Sequence, residues 1–137
     1  MRDRAAPVSG LFSIVTLAAV SAGCAIGAVA RFEVSRRIVQ RVGDSFPWGT
    51  LVVNVTGCMS AGALLASPGA SASPVWVAFL GAGILGGYTT VSSFGLETAL
   101  MFRRGHASGA LAYVGASMFG CVAATGLGAA LVLWLTG

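Results

Sequence analysis

Charge is what this chain lacks. Of its 137 residues only 9% are Asp, Glu, Lys or Arg, where globular proteins carry roughly a quarter. There is no lysine at all, a single histidine (His106) and a single asparagine (Asn54). So few ionised groups cannot cover a water-facing surface. A soluble enzyme, a nucleic-acid binder and a disordered tail are excluded at once. The net charge of +4 rests on eight arginines against four acids, too few and too scattered for a nucleic-acid footprint. Three cysteines, Cys24, Cys58 and Cys121, are odd in number and lack metal-ligand spacing, so they read as small packing residues and not as a disulfide or redox pair. What the chain does have is apolar length: 56% of its residues are hydrophobic. It reads as an integral membrane protein forming one domain over 1–137.

A membrane-crossing helix needs about 20 predominantly apolar residues, and four such stretches are present. They run over 11–30, 46–67, 74–102 and 107–135. Between them lie a basic connector (Arg31 to Asp44), a small-residue turn with two prolines (Pro68 to Pro74) and the tetrapeptide Arg103-Arg104-Gly105-His106. Trp48 and Trp76 open the second and third spans and Trp134 closes the fourth, as indoles at headgroup level would. Arg2 and Arg4 before an apolar run, with Ser21-Ala22-Gly23-Cys24 further on, resemble a cleaved lipoprotein leader. The polar Ser21 and the helix-like pattern after Cys24 speak against cleavage. Small residues recur every four positions as Ala19, Gly23 and Gly27 on the first span and as Ala116, Gly120, Ala124 and Gly128 on the fourth. Such stripes let backbones approach closely in a lipid solvent that offers no hydrophobic drive for association.

Polar groups at membrane depth are expensive unless they face protein, water or a permeating species. Asn54 sits in the middle of the second span. The third carries Gly86-Gly87-Tyr88-Thr89-Thr90-Val91-Ser92-Ser93-Phe94, a poor helix-forming run. It predicts a break near the bilayer midplane with carbonyls and amides turned inward, as at transporter ion sites. On the fourth span Tyr113, Ser117, Cys121 and Thr125 recur every four residues. The only acid inside a span is Glu97. There is no nucleophile–base pair for an enzyme and no midway titratable group of the kind a proton-coupled transporter uses. Neutral donors remain: hydroxyls, one carboxamide and aromatic edges. Such groups can replace the water shell of a small anion. Hydroxyls can equally turn their oxygens to a cation, so composition leaves the sign of the ion open.

Gly27-Ala28-Val29-Ala30-Arg31-Phe32, then Gly49-Thr50-Leu51-Val52-Val53-Asn54-Val55-Thr56-Gly57, then Gly86 to Phe94 with Glu97 resemble the CrcB/Fluc fluoride channels, in order and over nearly the whole chain. The resemblance implies four-helix subunits paired antiparallel in a dual-topology dimer. It further implies two fluoride pores at the interface and a central sodium ion, structural and not transported. It places that sodium on the backbone carbonyls of Gly86 and Thr89, and the pore lining on Asn54, Phe94, Ser92, Ser93, Tyr113 and Ser117. The next position of the hydroxyl track is Cys121, where the family usually has a hydroxyl. Of the family's two pore phenylalanines, at positions 91 and 94, this chain has Val91 and Phe94, so one ring edge is missing. Arg31 falls in a matching motif and reads either as an electropositive vestibule or as an interfacial anchor. Glu97 either pairs with an arginine or lines an entrance.

Orientation follows from the arginines. Six lie on one side (Arg31, Arg36, Arg37, Arg41, Arg103, Arg104) and two, Arg2 and Arg4, on the side of the termini. The positive-inside rule places the six in the cytoplasm. So biased a chain is expected to pair with an oppositely oriented paralogue, although the resemblance equally accommodates a homodimer. The expectation is a passive fluoride exporter of the bacterial inner membrane, surrounded by lipid. The alternative is a small multidrug-resistance-type proton-coupled transporter. It needs an embedded carboxylate in the first span, and 11–30 holds none.

Overall fold

The computed structural model describes residues 14–71 and 73–137. Arg2, Arg4 and the first residues of the opening span lie outside them. Among the described residues four helical spans are long and apolar enough to cross a membrane. Helix α1 covers Ile14–Val42 and α2 covers Trp48–Ala66. The third span consists of α3 (residues 74–88) and α4 (Val91–Arg103), and α5 covers Ala107–Thr136. Among the described residues there is no strand.

Helix α1 runs on through most of the stretch that the sequence suggested as a connector. Its polar end is held by its own side chains. Glu33 accepts from Arg36 at 3.0 and 2.9 Å and from Arg37 at 2.6 Å. Pairs spaced three and four apart on a helix contribute about 0.2–0.5 kcal/mol each, enough to favour helix where no lipid imposes it. The helix ends at Gly43, whose φ of +86° suits a residue without Cβ and whose N–H caps the Val39 carbonyl at 2.8 Å. Ser21 to Cys24 lie inside α1.

Glycine sets the packing distances. On α1, Gly23 and Gly27 are buried directly against the backbone of α3, at Gly83, Ile84 and Gly87. Gly87 in turn meets the backbone of Cys24. The two helices thus touch main chain to main chain. The same device joins α2 to α5: a Cβ at Gly62 would strike the Thr125 carbonyl, and one at Gly128 the Met59 carbonyl. Both small-residue stripes are therefore packing faces. They place the middle of α2 between the break in the third span and α5.

That break lies at Thr89 (φ −77°, ψ 158°) and Thr90 (φ −150°, ψ 118°), both extended. Gly86 and Gly87 themselves remain helical, and Gly87 contributes the close approach to α1. Upstream, Ala78–Leu85 winds in wide turns, with the Gly86 N–H reaching back to the Gly81 carbonyl. This feature left no signature in the residue pattern. Wide turns inside α-helices are rare and frequently occur near functional sites.

Because backbone and not a flexible side chain lies opposite Gly128, substituting Gly128→Val should force α5 from α2 and cost at least the ~1–3 kcal/mol of an overpacked core. Detergent-purified protein should then lose its monodisperse elution at a clearly lower temperature. Gly126→Ala, at a position with open space around it, should leave that temperature unchanged.

Candidate functional site

The site grows from one side chain. Asn54, half-buried on α2, donates through Nδ2 to the Thr90 carbonyl at 3.0 Å and accepts from the Thr90 N–H at Oδ1 at 2.8 Å. A carboxamide carries a donor and an acceptor in the same spacing as a peptide group, so it can complete the backbone of an interrupted helix. Without it, two main-chain groups would stand unpaired at membrane depth, each costing several kcal/mol. The break is thus held open from across the bundle.

Diverting those groups has consequences along the chain. In a continuous helix the Thr90 N–H would return to the Gly86 carbonyl, but it goes to Asn54. The Ser93 N–H would return to Thr89, but it goes to the Thr90 hydroxyl at 3.2 Å, the N-cap of α4. The carbonyls of Gly86 and Thr89 have thereby lost their ordinary helical donors. The Thr90 hydroxyl also engages Ser92 at 3.2 Å and Ser93 at 3.1 Å. These two serines serve the cap, and neither is among the residues lining the cavity described next.

Below the break lies an inner cavity of about 360 Å³ between α2, α4 and α5. Asn54, Thr90, Val91, Phe94 and Ser117 line it, together with Cys58 and Cys121. Ser117 is 6% exposed, and its Oγ is the one buried side-chain oxygen or nitrogen among the described residues without a hydrogen-bond partner. Buried hydroxyls are as a rule paired, so an orphan facing a cavity marks a place for something else. Val91, 83% exposed, forms part of an open side of this trough.

Toward the charged end, Glu97 is held by two hydroxyls and, among the described residues, by no arginine. Thr50 Oγ1 donates to its Oε1 and the Tyr113 hydroxyl to its Oε2, each at 2.8 Å. Tyr113 is fully buried and stands against Phe94 with ring centroids 5.2 Å apart and against the edge of Phe46 at 5.6 Å. Glu97 and Thr50 also line an outer cavity of about 210 Å³ shared with Ser35, Asp44 and Arg104. Among the described residues Glu97 thus pairs with no arginine and lines this outer cavity. Arg31 is half-buried on α1 and lines neither cavity. A further pair, Thr56 and Tyr88, joins α2 to α3 hydroxyl to hydroxyl at 3.0 Å.

Two elements escaped the sequence reading. Thr50 and Thr90 stood inside quoted motifs, but no role followed from their types. Cys58 was read only as packing and Cys121 also as the next position of the hydroxyl track, and only the helix register could bring the two to one cavity.

Asn54→Ala should leave the Thr90 N–H and carbonyl without partners. At about 1–3 kcal/mol for each unpaired buried group, the variant should lose several kcal/mol. Thermal denaturation in detergent should show a marked drop, and an unaltered transition would refute the bracing role.

The family described as CrcB-like protein, Camphor Resistance (CrcB) matches residues 18–129. A protein of Rhodospirillum centenum named fluoride-specific ion channel FluC is 44% identical over 117 residues, 83% of this chain and 92% of its own. One of Anaeromyxobacter dehalogenans with the same name is 42% identical over 120 residues, 86% of this chain and 95% of its own. FluC 2 of Bradyrhizobium diazoefficiens, also named a fluoride-specific ion channel, is 41% identical over 125 residues, 88% and 87% of the two chains. With four membrane-length helices, a third span broken at paired threonines and a match over most of its length, this multi-pass membrane protein belongs to the CrcB family.

Proposed function

We propose that this chain is a passive fluoride channel of the bacterial inner membrane, conducting through the inner cavity. The observation that carries the reading is the unpartnered Ser117 hydroxyl, buried at the wall of a trough with no ionisable lining except its thiols. A buried donor with no protein acceptor is costly in a resting fold and useful to a small anion that has shed its water. The carboxamide of Asn54 has two N–H donors and spends one on Thr90, leaving a second. The Phe94 ring offers its positive edge. Thr90 and Val91, at the start of α4, also line the cavity, where the helix dipole favours negative charge. None of these is a full positive charge, so fluoride is met without being trapped. The names of the relatives support the same ion.

The open side of the trough, where Val91 and Met118 are exposed, suits a second subunit, because polar lining cannot face lipid. In this reading two antiparallel copies, or this chain and a paralogue, close two pores between them. The missing ring at position 91 is consistent with a partner that supplies it. The carbonyls of Gly86 and Thr89, relieved of their helical donors, suit a hard cation such as sodium at the dimer centre. Oxygen dipoles there would replace the ion's hydration shell and brace the interface. Arg31, Arg36, Arg37 and Arg41 on α1 share one end of the molecule with Arg103 and Arg104. The connector after α1 meets the one before α5 there, with Asp44 and Phe46 lining one cavity with Arg104 and His106.

In liposomes loaded with fluoride, the purified chain, alone or with a co-encoded paralogue, should release fluoride rapidly to an electrode and not release chloride. Ser117→Ala should be at least as heat-stable as the parent, since it removes an unsatisfied hydroxyl, yet slow efflux tenfold or more. A parent that releases no fluoride in either setting would overturn the reading. An alanine variant with full efflux would remove Ser117 from the path. Reporters fused to the two termini should place both outside the cytoplasm in nearly all molecules. An even mixture of orientations would dismiss the oppositely oriented paralogue in favour of a homodimer.

A further inference from the structure

We propose that Cys58 and Cys121, with Met118 beside them, form a binding site for a thiophilic d¹⁰ metal ion in the wall of the inner cavity, and that occupancy closes the path.

The site is built by the helix packing. Helices α2 and α5 approach main chain to main chain at Gly62–Thr125 and Met59–Gly128, and the Val55 side chain stands 3.2 Å from where a Cβ of Gly120 would lie. Cys58 falls between Val55 and Gly62 on α2, and Cys121 falls between Gly120 and Thr125 on α5. The register that seats the glycines therefore brings the two thiols, on facing helices, to the wall of one cavity. Both are free cysteines, neither fully buried. Both line the cavity, as does Met118, which precedes Cys121 by three residues and so shares its helix face.

Two thiols and a thioether are soft ligands. The rest of the lining consists of hydroxyls, a carboxamide and apolar groups, with no carboxylate or imidazole to hold a hard or borderline ion. Such a set selects soft metals, as sulfur ligands select Cu(I). With Hg(II) the balance is simple. Two S–H bonds are replaced by two S–Hg bonds, two protons leave to solvent, and no electron is transferred. The resulting bis-thiolate is neutral, as a low-dielectric site requires. It would stand in the same cavity as Ser117 and Phe94, in the way of the anion. Cys24 differs: its thiol donates to the Ala82 carbonyl on α3 at 3.7 Å, and it does not line this cavity.

The closure rests on the proposed fluoride path; the binding does not, and the two are tested apart. Detergent-purified protein is titrated with mercuric nitrate against an excess of a competing monothiol, and the sulfur-to-mercury absorption is followed. One Hg(II) per subunit is expected in the parent and in Cys24→Ser, and none in Cys58→Ser or Cys121→Ser. Undiminished binding in a Cys58→Ser/Cys121→Ser double variant, or loss in Cys24→Ser alone, overturns the site. The parent chain gives a second readout independent of any variant's folding. Bound mercury should protect Cys58 and Cys121 from maleimide and leave Cys24 labelled, and equal labelling of all three with metal bound also overturns it. In liposomes, one equivalent should slow the parent's fluoride efflux at least tenfold, reversibly with excess dithiothreitol, each variant being compared with its own metal-free rate. Full efflux with the metal bound refutes closure and leaves the site standing.

Discussion

The structure depends on one exchange of hydrogen bonds. A helix interrupted inside a bilayer cannot turn to water for its missing partners, so some group of the protein must stand in for the missing turn. Asn54 does so with both ends of its carboxamide, one on each main-chain group of Thr90. Everything distinctive about the middle of the molecule follows from that substitution. Thr90 is freed to cap α4, the carbonyls of Gly86 and Thr89 lose their helical donors, and the first turn of α4 opens toward a cavity.

The exchange works only at one depth, and glycine sets it. Had α2 carried side chains where Gly57 and Gly62 lie, it would stand off from the Tyr88–Thr89 turn and from α5, and Asn54 would fall short of Thr90. The same close approach brings Cys58 and Cys121 to one cavity and seats Ser117 there. The small-residue stripes are therefore more than an adhesive. They fix the register in which the few polar side chains meet.

Much of this was legible in the residues. Length and apolar content settled four spans, and tryptophans marked their ends. The run from Gly86 to Phe94 announced a break because threonines and serines compete with helical hydrogen bonds. The partner of that break was not legible, since nothing local links Asn54 to a threonine 36 positions away. The helical extension of α1 was also missed. Hydropathy marks where lipid ends but not where a helix ends, and Glu33 with its two arginines carries the helix past that point. That Cys58 and Cys121 line one cavity was not legible either. Spacing rules read one chain segment at a time, whereas here two helices each contribute one thiol.

Glu97 sharpens what the inner cavity can offer. Both oxygens of its carboxylate accept from hydroxyls, those of Thr50 and Tyr113. Those hydroxyls are, by the same fact, not free to donate to anything else. Ser92 is engaged with Thr90, and Ser93 accepts from the Thr90 hydroxyl; neither lines the inner cavity. Of the hydroxyls that the sequence placed along the track, Ser117 alone is left without a partner, joined by one N–H of Asn54 and the ring edge of Phe94. A path with so few free donors can hold a small, strongly hydrogen-bonding anion through a handful of contacts. It has too few to compensate a larger ion for the water it would lose, and in this way the hydrogen bonds that brace the fold also limit what the cavity can accept.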